Sequence, residues 1–464
     1  VNSERLPDLF MAFIRYGIVA VERSMENKIS SRLHVGKYHV RSTRFEAGHA
    51  EDKSGNLFSG FEMHSRIYSR AFEYTQHTRM IDRIAGFGAS VFSEITALAN
   101  KHGAVNLGQG FPDFDTPLHV RNAACEAIMD GHNQYAMSHG EPVLRQAISE
   151  HAMRFYRHSI DPDSGVCVTA GASEALWCTM FAFVEPGDEV IVFEPCFDVY
   201  IPNITMAGGT AIPVTLHGPE YRFDPDELRR AFSPRTKLIL INTPHNPCGT
   251  VFNQSELQLI RDLCIEHDVI AVCDEVYEHI VFDDSRHGRL GAMDGMQKRC
   301  VTISSGGKTF SSTGWKCGWA IGDESLISCI RRVHQFTVFA SSTPFHYAIA
   351  RGLHSDDAFY TSLRNDYSRR RDLLMEILRQ TPLDFTVPGG SYFITADISR
   401  ATKADGISFC KELITEYGIA VIPLQKFYVN EHLGHSLVRI AFCKREETIE
   451  SARERFAAFA ESCS

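Results

Sequence analysis

Lys308 stands in "VTISSGGKTFSSTGWKCGWAIG", Val301 to Gly322, after an apolar run and two glycines. Its Gly-Gly-Lys-Thr tetrapeptide would suit the end of a nucleotide-binding phosphate loop. That loop, however, needs a glycine six positions before its lysine, where this chain has Thr302. It must also run straight into a helix, whereas Lys308 is followed by Gly314, Gly318 and the strand-like "GWAIG". The nucleotide reading fails on both counts. A partly buried lysine that follows two glycines suits a different task. The glycines let a small molecule approach the backbone closely, and burial lowers the amine pKa until it can form a Schiff base with an aldehyde.

An aldehyde cofactor such as pyridoxal phosphate demands more: a carboxylate for the pyridine nitrogen, a phosphate cup, a group stacked on the ring and a clamp for the substrate carboxylate. Asp274 ends the apolar "VIAVCD", and the C-terminal end of a buried strand faces the crevice where α/β sheets bind ligands; a helix cap is the other common use of such an Asp. Tyr277, three residues on, and Asn246 in "TPHNPCG" are candidates for the ring's phenolic oxygen, although Asn, Pro and Gly also suit a plain turn. The phosphate would rest on backbone N–H groups of Ala172 and Ser173 where "GVCVTAG" opens into a helix, helped by the Ser305 hydroxyl and the charge of Lys316. Phe197 in "EPCFDVY" is placed to stack on a ring or to fill the core. Arg439 sits among apolar residues in "SLVRIAF", where its guanidinium needs a bidentate partner: a substrate α-carboxylate or an internal salt bridge. No metal site is expected.

The elements that would position these groups follow from hydrophobic period. "GVCVTAG", "DEVIVFEP", "GTAIPVTL", "KLILIN" and "VIAVCDE" are short apolar runs, and "ASEALWCTMFAFV" continues the first as a helix. In "NQSELQLIRDLCIEHD", Ser255 and Gln258 have capping-box spacing, and Leu259, Ile260, Leu263 and Cys264 form an apolar face. Strands apolar throughout that alternate with amphipathic helices predict an α/β fold with a mainly parallel sheet covered on both faces. Beyond about residue 345 come the long helix "DDAFYTSLRNDYSRRRDLLMEILRQ", strand-like "GSYFITADI" and "SLVRIAF", and a last helix near "ETIESARERFAAFA", which predict a smaller α+β domain. Arg369, Arg370 and Arg371 read as a solvated helical face.

The chain has 464 residues, enough for two or three domains, and a net charge of -10 that argues against a general nucleic-acid or anionic-membrane binder. Thirteen cysteines without a C-x-x-C pair read as reduced thiols in a cytoplasm. No apolar run reaches the roughly 18 residues that span a bilayer, so the Asn203-Ile-Thr sequon is expected to carry no glycan. Residues 1–79 differ from the rest, with no cysteine, five histidines and a net charge of +3 against -13. They are expected to be an extension, or in part an over-extended reading frame with Met80 as the natural start, since the chain begins with Val.

Taken together, "VNLGQGFPDFDTP", "NQY", "VTAGASEAL", "EPCFDVY", "NTPHNPCGTVF", "DEVYEHIVF", "SSGGKTFSSTGWKCGW" and "LVRIAFCKREE" occur in an order that resembles class I/II, fold-type I pyridoxal-phosphate aminotransferases. The likeness runs from about Arg79 to the C-terminus and is nearest to the kynurenine/glutamine, methionine and N-succinyldiaminopimelate aminotransferase group. The resemblance implies a seven-stranded, mainly parallel sheet in a large domain, with an N-terminal arm and part of the small domain at 80–120, the large domain at 121–344 and the rest of the small domain at 345–464. It implies that Lys308 carries pyridoxal 5'-phosphate as a Schiff base, that Asp274 pairs with the ring nitrogen, and that Tyr277 and Asn246 hold the ring oxygen. It also implies Phe197 on the ring face, Ala172, Ser173, Ser305 and Lys316 at the phosphate, and Arg439 on the substrate carboxylate. Gly110 matches a position whose backbone nears the substrate, and Phe92 an aromatic against its side chain. Tyr135 matches a tyrosine that reaches the phosphate across a homodimer interface.

The expected activity is transfer of an amino group from a neutral or aromatic amino acid to a 2-oxo acid. Two alternatives stand beside it. One is a pyridoxal-phosphate enzyme of elimination, replacement or C–C bond formation. The other is an aminotransferase-like ligand sensor fused to an N-terminal DNA-binding module, for which residues 1–79 show only a slight basic excess and no clear helix-turn-helix pattern.

Overall fold

The computed structural model describes residues 91–463 together with Ala50, Glu51, Leu57, Phe58, Arg83 and Phe87. The chain divides into two compact units, Val1–Arg79 and Met80–Ser464. In the first, β1 (Ala50–Glu51) pairs antiparallel with β2 (Leu57–Phe58). The expectations about the extension, its start at Met80 and a DNA-binding module fall on residues otherwise outside those described.

The second unit is built around an eight-stranded sheet. After β3 (Val105–Asn106) its strands are β4 (Val166–Thr169), β5 (Glu189–Glu194), β6 (Thr210–His217), β7 (Arg222–Phe223), β8 (Thr236–Asn242), β9 (Ile270–Asp274), β10 (Cys300–Ser305) and β11 (Gly318–Ile321), in the order β4-β11-β10-β9-β8-β5-β6-β7. The expected seven strands are all present, and the eighth is the two-residue β7, antiparallel at the edge. β10, β9, β8, β5 and β6 run parallel, while β11 is antiparallel to both β10 and β4.

The continuous apolar character of these strands has a simple cause: alternate residues enter two different cores. Ile191, Phe193, Ile239, Ile241, Ala271 and Cys273 join one cluster, with Ile260 and Leu263 of helix Gln254–Glu266. Their neighbours Val190, Val192, Leu238, Leu240 and Val272 join the other, with Ala175 and Leu176 of helix Ala172–Phe183. Because both faces are covered, polar side chains needed for chemistry are left to the strand ends.

Near the C-terminus β12 (Asp384–Phe385), β13 (Phe393–Asp397), β15 (Ile422–Pro423) and β16 (Leu437–Ala441) form an antiparallel sheet, and β14 (Ile419–Ala420) pairs in parallel with β3. The segment after residue 90 is thereby stitched to the end of the chain. Arg439 lies in β16 opposite Thr395 of β13.

Three local expectations need correction. Helix Gln254–Glu266 is capped by Asn253 with Glu256, not by Ser255 with Gln258; the helix starts two residues earlier than the Ser/Gln spacing implied, and the Asn side chain accepts the Glu256 N–H at 3.0 Å. The arginine run is not a uniformly solvated face. Arg371 is buried and ion-paired with Asp283 at 2.6 Å, because the helix Asp357–Leu378 turns that residue toward Phe282, over whose ring its guanidinium lies. The last helix is two pieces, Glu446–Glu450 and Arg453–Ser462. Asn203 of the sequon is buried in helix Tyr200–Ala207, which leaves no room for a glycan. No helix among the described residues is long and apolar enough to cross a membrane.

Candidate active site

A cavity of about 360 Å³ opens at the C-terminal ends of the parallel strands and is lined by Phe92, Gly110, Ala172, Ser173, Phe197, Asn246, Asp274, Tyr277, Ser305, Lys308, Lys316 and Arg439. All the proposed site residues therefore meet in one place except Tyr135. That tyrosine is 86% exposed, lies outside the cavity lining, and packs edge-on against Phe339.

Lys308 follows β10 in the short helix Gly306–Thr309. Its Nζ donates to the Tyr392 hydroxyl at 2.9 Å and lies 3.4 Å from the Gly110 carbonyl oxygen. Gly110 is required by close approach: a Cβ there would stand 2.6 Å from the Phe393 ring. Burial lowers the Lys308 pKa to about 8, although Cys443 and Asp274 act to raise it, and Arg439 and Lys316 lower it further.

Asp274 is the last residue of β9 and is 4% exposed. Its Oδ2 accepts the Tyr200 hydroxyl at 2.7 Å and its Oδ1 the Val276 N–H at 3.3 Å. Among the described residues it has no ion-pair partner. Burial raises its pKa to about 6 against the opposing pull of those two donors and the Lys308 charge. The helix-cap use considered for this Asp is not what is seen, since no helix of four residues or more follows β9 before Gly306.

A chain of polar contacts links the strand ends. Asn242 Nδ2 donates to the Asp274 carbonyl at 2.9 Å, and the Asn246 N–H donates to Asn242 Oδ1 at 2.7 Å. Asn246 Oδ1 then accepts from Arg439 at 2.9 Å, while the other end of the Arg439 fork donates to the Gly108 carbonyl at 3.0 Å. Arg439 is 2% exposed, its Nε has no partner, and no described carboxylate lies in ion-pair range. The internal salt bridge is thus absent, and a buried guanidinium is held open to the cavity over the ring of Phe393.

At the other end, helix Ala172–Phe183 starts after Gly171, whose φ of +82° favours glycine. Among the described residues, the N–H groups of Ala172 and Ser173 find no acceptor. A Cβ on Gly171 would lie 3.0 Å from Lys316 Nζ, so this lysine leans directly over the helix start. Glu174, in the first turn, accepts the Ala170 N–H and ties to His334, which lies in helix Glu324–Thr337.

His334 faces acceptors on both ring nitrogens, Glu174 Oε1 at 2.7 Å and the Ser138 carbonyl at 2.6 Å, so both nitrogens must carry protons. Burial alone would lower its pKa, but the Glu174 carboxylate and the backbone acceptors outweigh it and the net shift is upward. The sign follows: the pair's stabilisation is fully present below the unfolded value near 6.5 and is lost as pH rises through the higher folded value. His334→Gln is expected to lower the unfolding free energy by about 2 kcal/mol at pH 6 and by less at pH 9. Urea unfolding at the two pH values checks this; an equal loss at both would show that the imidazolium charge is not what matters.

Sequence reasoning missed Tyr200, Tyr392 and Asp198, all of which touch or line this cavity. Tyr200 and Asp198 lie in the quoted "EPCFDVY", and a hydroxyl beside a quoted aromatic was the available signal; Tyr392 in "GGSYFITADI" reads simply as a core aromatic.

With this geometry in place, the comparisons with known proteins are direct. The family model for aminotransferase class I and II matches residues 102–456. The solved N-succinyldiaminopimelate aminotransferase of Mycobacterium tuberculosis is 40% identical, with a TM-score of 0.80, over 82% of this chain and 100% of its own. Methionine aminotransferase of Escherichia coli is 38% identical over 80% of this chain and 96% of its own. The human kynurenine–oxoglutarate transaminase 3 is 36% identical over 80% of this chain and 88% of its own. The chain belongs to the class I and II aminotransferases, enzymes of fold type I that use pyridoxal 5'-phosphate.

Proposed function

We propose that this aminotransferase takes its amino group from a large neutral or aromatic L-amino acid and passes it to a 2-oxo acid. The observation that carries the proposal is the cavity's inventory of cations: Lys308, Lys316 and Arg439. Each has a task in amino transfer, and among the described residues lining the cavity there is no fourth cation for a carboxylate on the substrate side chain. Phe92 and Phe111 line the cavity instead. Relatives named for methionine and kynurenine support the same class.

The residues fit the cofactor on observations of their own. The N–H groups of Ala172 and Ser173 lack acceptors, Lys316 stands against them, and Gly171 keeps the space between clear. When bound, pyridoxal phosphate supplies an aldehyde for the amino group and a protonated ring that draws electrons from the substrate α-carbon.

Asp274, held by Tyr200, presents a buried negative charge that would keep the ring nitrogen protonated. Tyr277 and Asn246 would donate to the ring oxygen, Phe197 would cover one ring face, and Ser305 and Lys316 would complete the phosphate cup. Arg439 binds the substrate carboxylate through its fork, oriented by Asn246 and Gly108. Lys308, as a neutral amine, would take the substrate's α-proton as general base and give it back to the cofactor carbon that receives the amino group. Gly110 keeps the backbone close to the substrate and Phe92 packs on its side chain.

The exposed Tyr135 is read as a contribution from a second copy of the chain, in a homodimer with shared sites, and its exposure here supports that reading. Thirteen free thiols, ten of them buried, support a cytoplasmic setting. The two compact units support a boundary at 79/80, and we keep 80–120 as the arm and part of the small domain, 121–344 as the large domain and 345–464 as the C-terminal small domain.

The test is incubation of the cofactor-loaded protein with methionine, glutamine, kynurenine or phenylalanine plus a 2-oxo acid, with product amino acids measured. A new amino acid with matching loss of the donor is expected. A released leaving group with no new amino acid would instead assign elimination or replacement.

A further inference from the structure

Asp198 follows the ring-stacking candidate Phe197 and lines the same cavity, yet no step described above uses it. Its ordinary structural uses are absent. Helix Tyr200–Ala207 begins two residues later, and no side chain caps it. Among the described residues Asp198 forms no ion pair, and the hydrogen bonds that Arg439 makes go to Asn246 and Gly108. Only its own backbone N–H serves the carboxylate.

Its position along the cavity is also informative. It lines the cavity together with Arg439, whose charge reaches it, so it shares the wall that is proposed to receive the substrate carboxylate. Burial raises its pKa and Arg439 opposes that rise. A half-buried carboxylate with no committed partner, facing a ligand cavity, is costly unless a ligand satisfies it.

We propose that Asp198 is a specificity-determining residue that favours amino acids carrying a hydrogen-bond donor on the side chain, such as an amide or amine, and disfavours those with a second carboxylate. The inference rests on the amino-transfer reading and narrows it. A donor supplied by the substrate replaces the water that Asp198 loses on closure, whereas a side-chain carboxylate meets a like charge in a poorly screened space. Methionine, with neither feature, is the neutral reference.

The experiment compares holoenzyme and its Asp198→Asn variant in the single-turnover half-reaction with glutamine, methionine and glutamate, the bound cofactor's absorbance confirming an intact site. The expected outcome is that kcat/KM for glutamate relative to methionine rises about tenfold in the variant, while glutamine relative to methionine falls. A uniform loss for all three, or unchanged ratios, overturns the inference, because a merely structural acid moves the substrates together. If the wild-type protein reacts with none of the three, the amino-transfer reading itself fails and the inference goes with it.

Discussion

Lys308→Ala is expected to lower amino transfer by about 10⁴-fold or more, since one substitution removes both the proposed covalent anchor and the proposed general base. The size of the effect follows from the amine's setting. An ordinary lysine near pH 7.5 is about one part in a thousand neutral, whereas one with a pKa near 8 is about a quarter neutral and ready as nucleophile and base. Burial produces that shift, and the contact with Tyr392 at 2.9 Å keeps the amine aimed into the cavity. Among the described residues lining the cavity the other lysine is Lys316, and it stands over the start of helix Ala172–Phe183. The check is borohydride reduction followed by peptide mass mapping, together with turnover. The wild type should carry the cofactor mass on the peptide containing Lys308, and the variant should carry none. Activity within tenfold of wild type, or label on a different lysine, would refute the assignment.

The frame that holds this lysine is readable in the chain because it depends on local patterns. Apolar runs such as "KLILIN" and "VIAVCD" are buried on two faces, so Asn242 and Asp274 had to lie at the strand ends, where polar atoms can be exposed to a ligand. Features set by tertiary contact were not readable. Ser255/Gln258 and Asn253/Glu256 share one spacing, and only the actual helix start chooses between them. Arg371 differs from Arg369 by two residues, yet one is buried over Phe282 and pairs with Asp283 while the other faces solvent, a phase that three consecutive arginines cannot reveal. Arg439 was equally consistent with a salt bridge or a ligand until its neighbours proved to be an amide and a carbonyl. Tyr392 and Tyr200 look like core aromatics in sequence, and their roles come from where their hydroxyls end.

Asp274→Asn should separate function from stability. The wild-type carboxylate is 4% exposed, has two neutral donors and no ion-pair partner, and its pKa rises from 3.8 to about 6. A folded-state value above the unfolded one means that folding is favoured while the group is protonated, and that this advantage is lost as pH rises from about 4 through about 6. The shift corresponds to a cost of about 3 kcal/mol in the cofactor-free protein at pH 8. Asn has the same shape, can still accept from Tyr200, and carries no charge. The cofactor-free variant should therefore be more stable than wild type by about 2 kcal/mol at pH 8 and equal to it near pH 4, read as a shift in urea midpoint. Activity should fall by about 10³-fold, because the buried charge that would hold the ring nitrogen protonated is gone. A variant less stable than wild type at pH 8 would mean that the carboxylate is satisfied in the apo fold and that its raised pKa does not measure strain. A gain in stability with loss of turnover would identify Asp274 as a residue kept for chemistry at the expense of the fold.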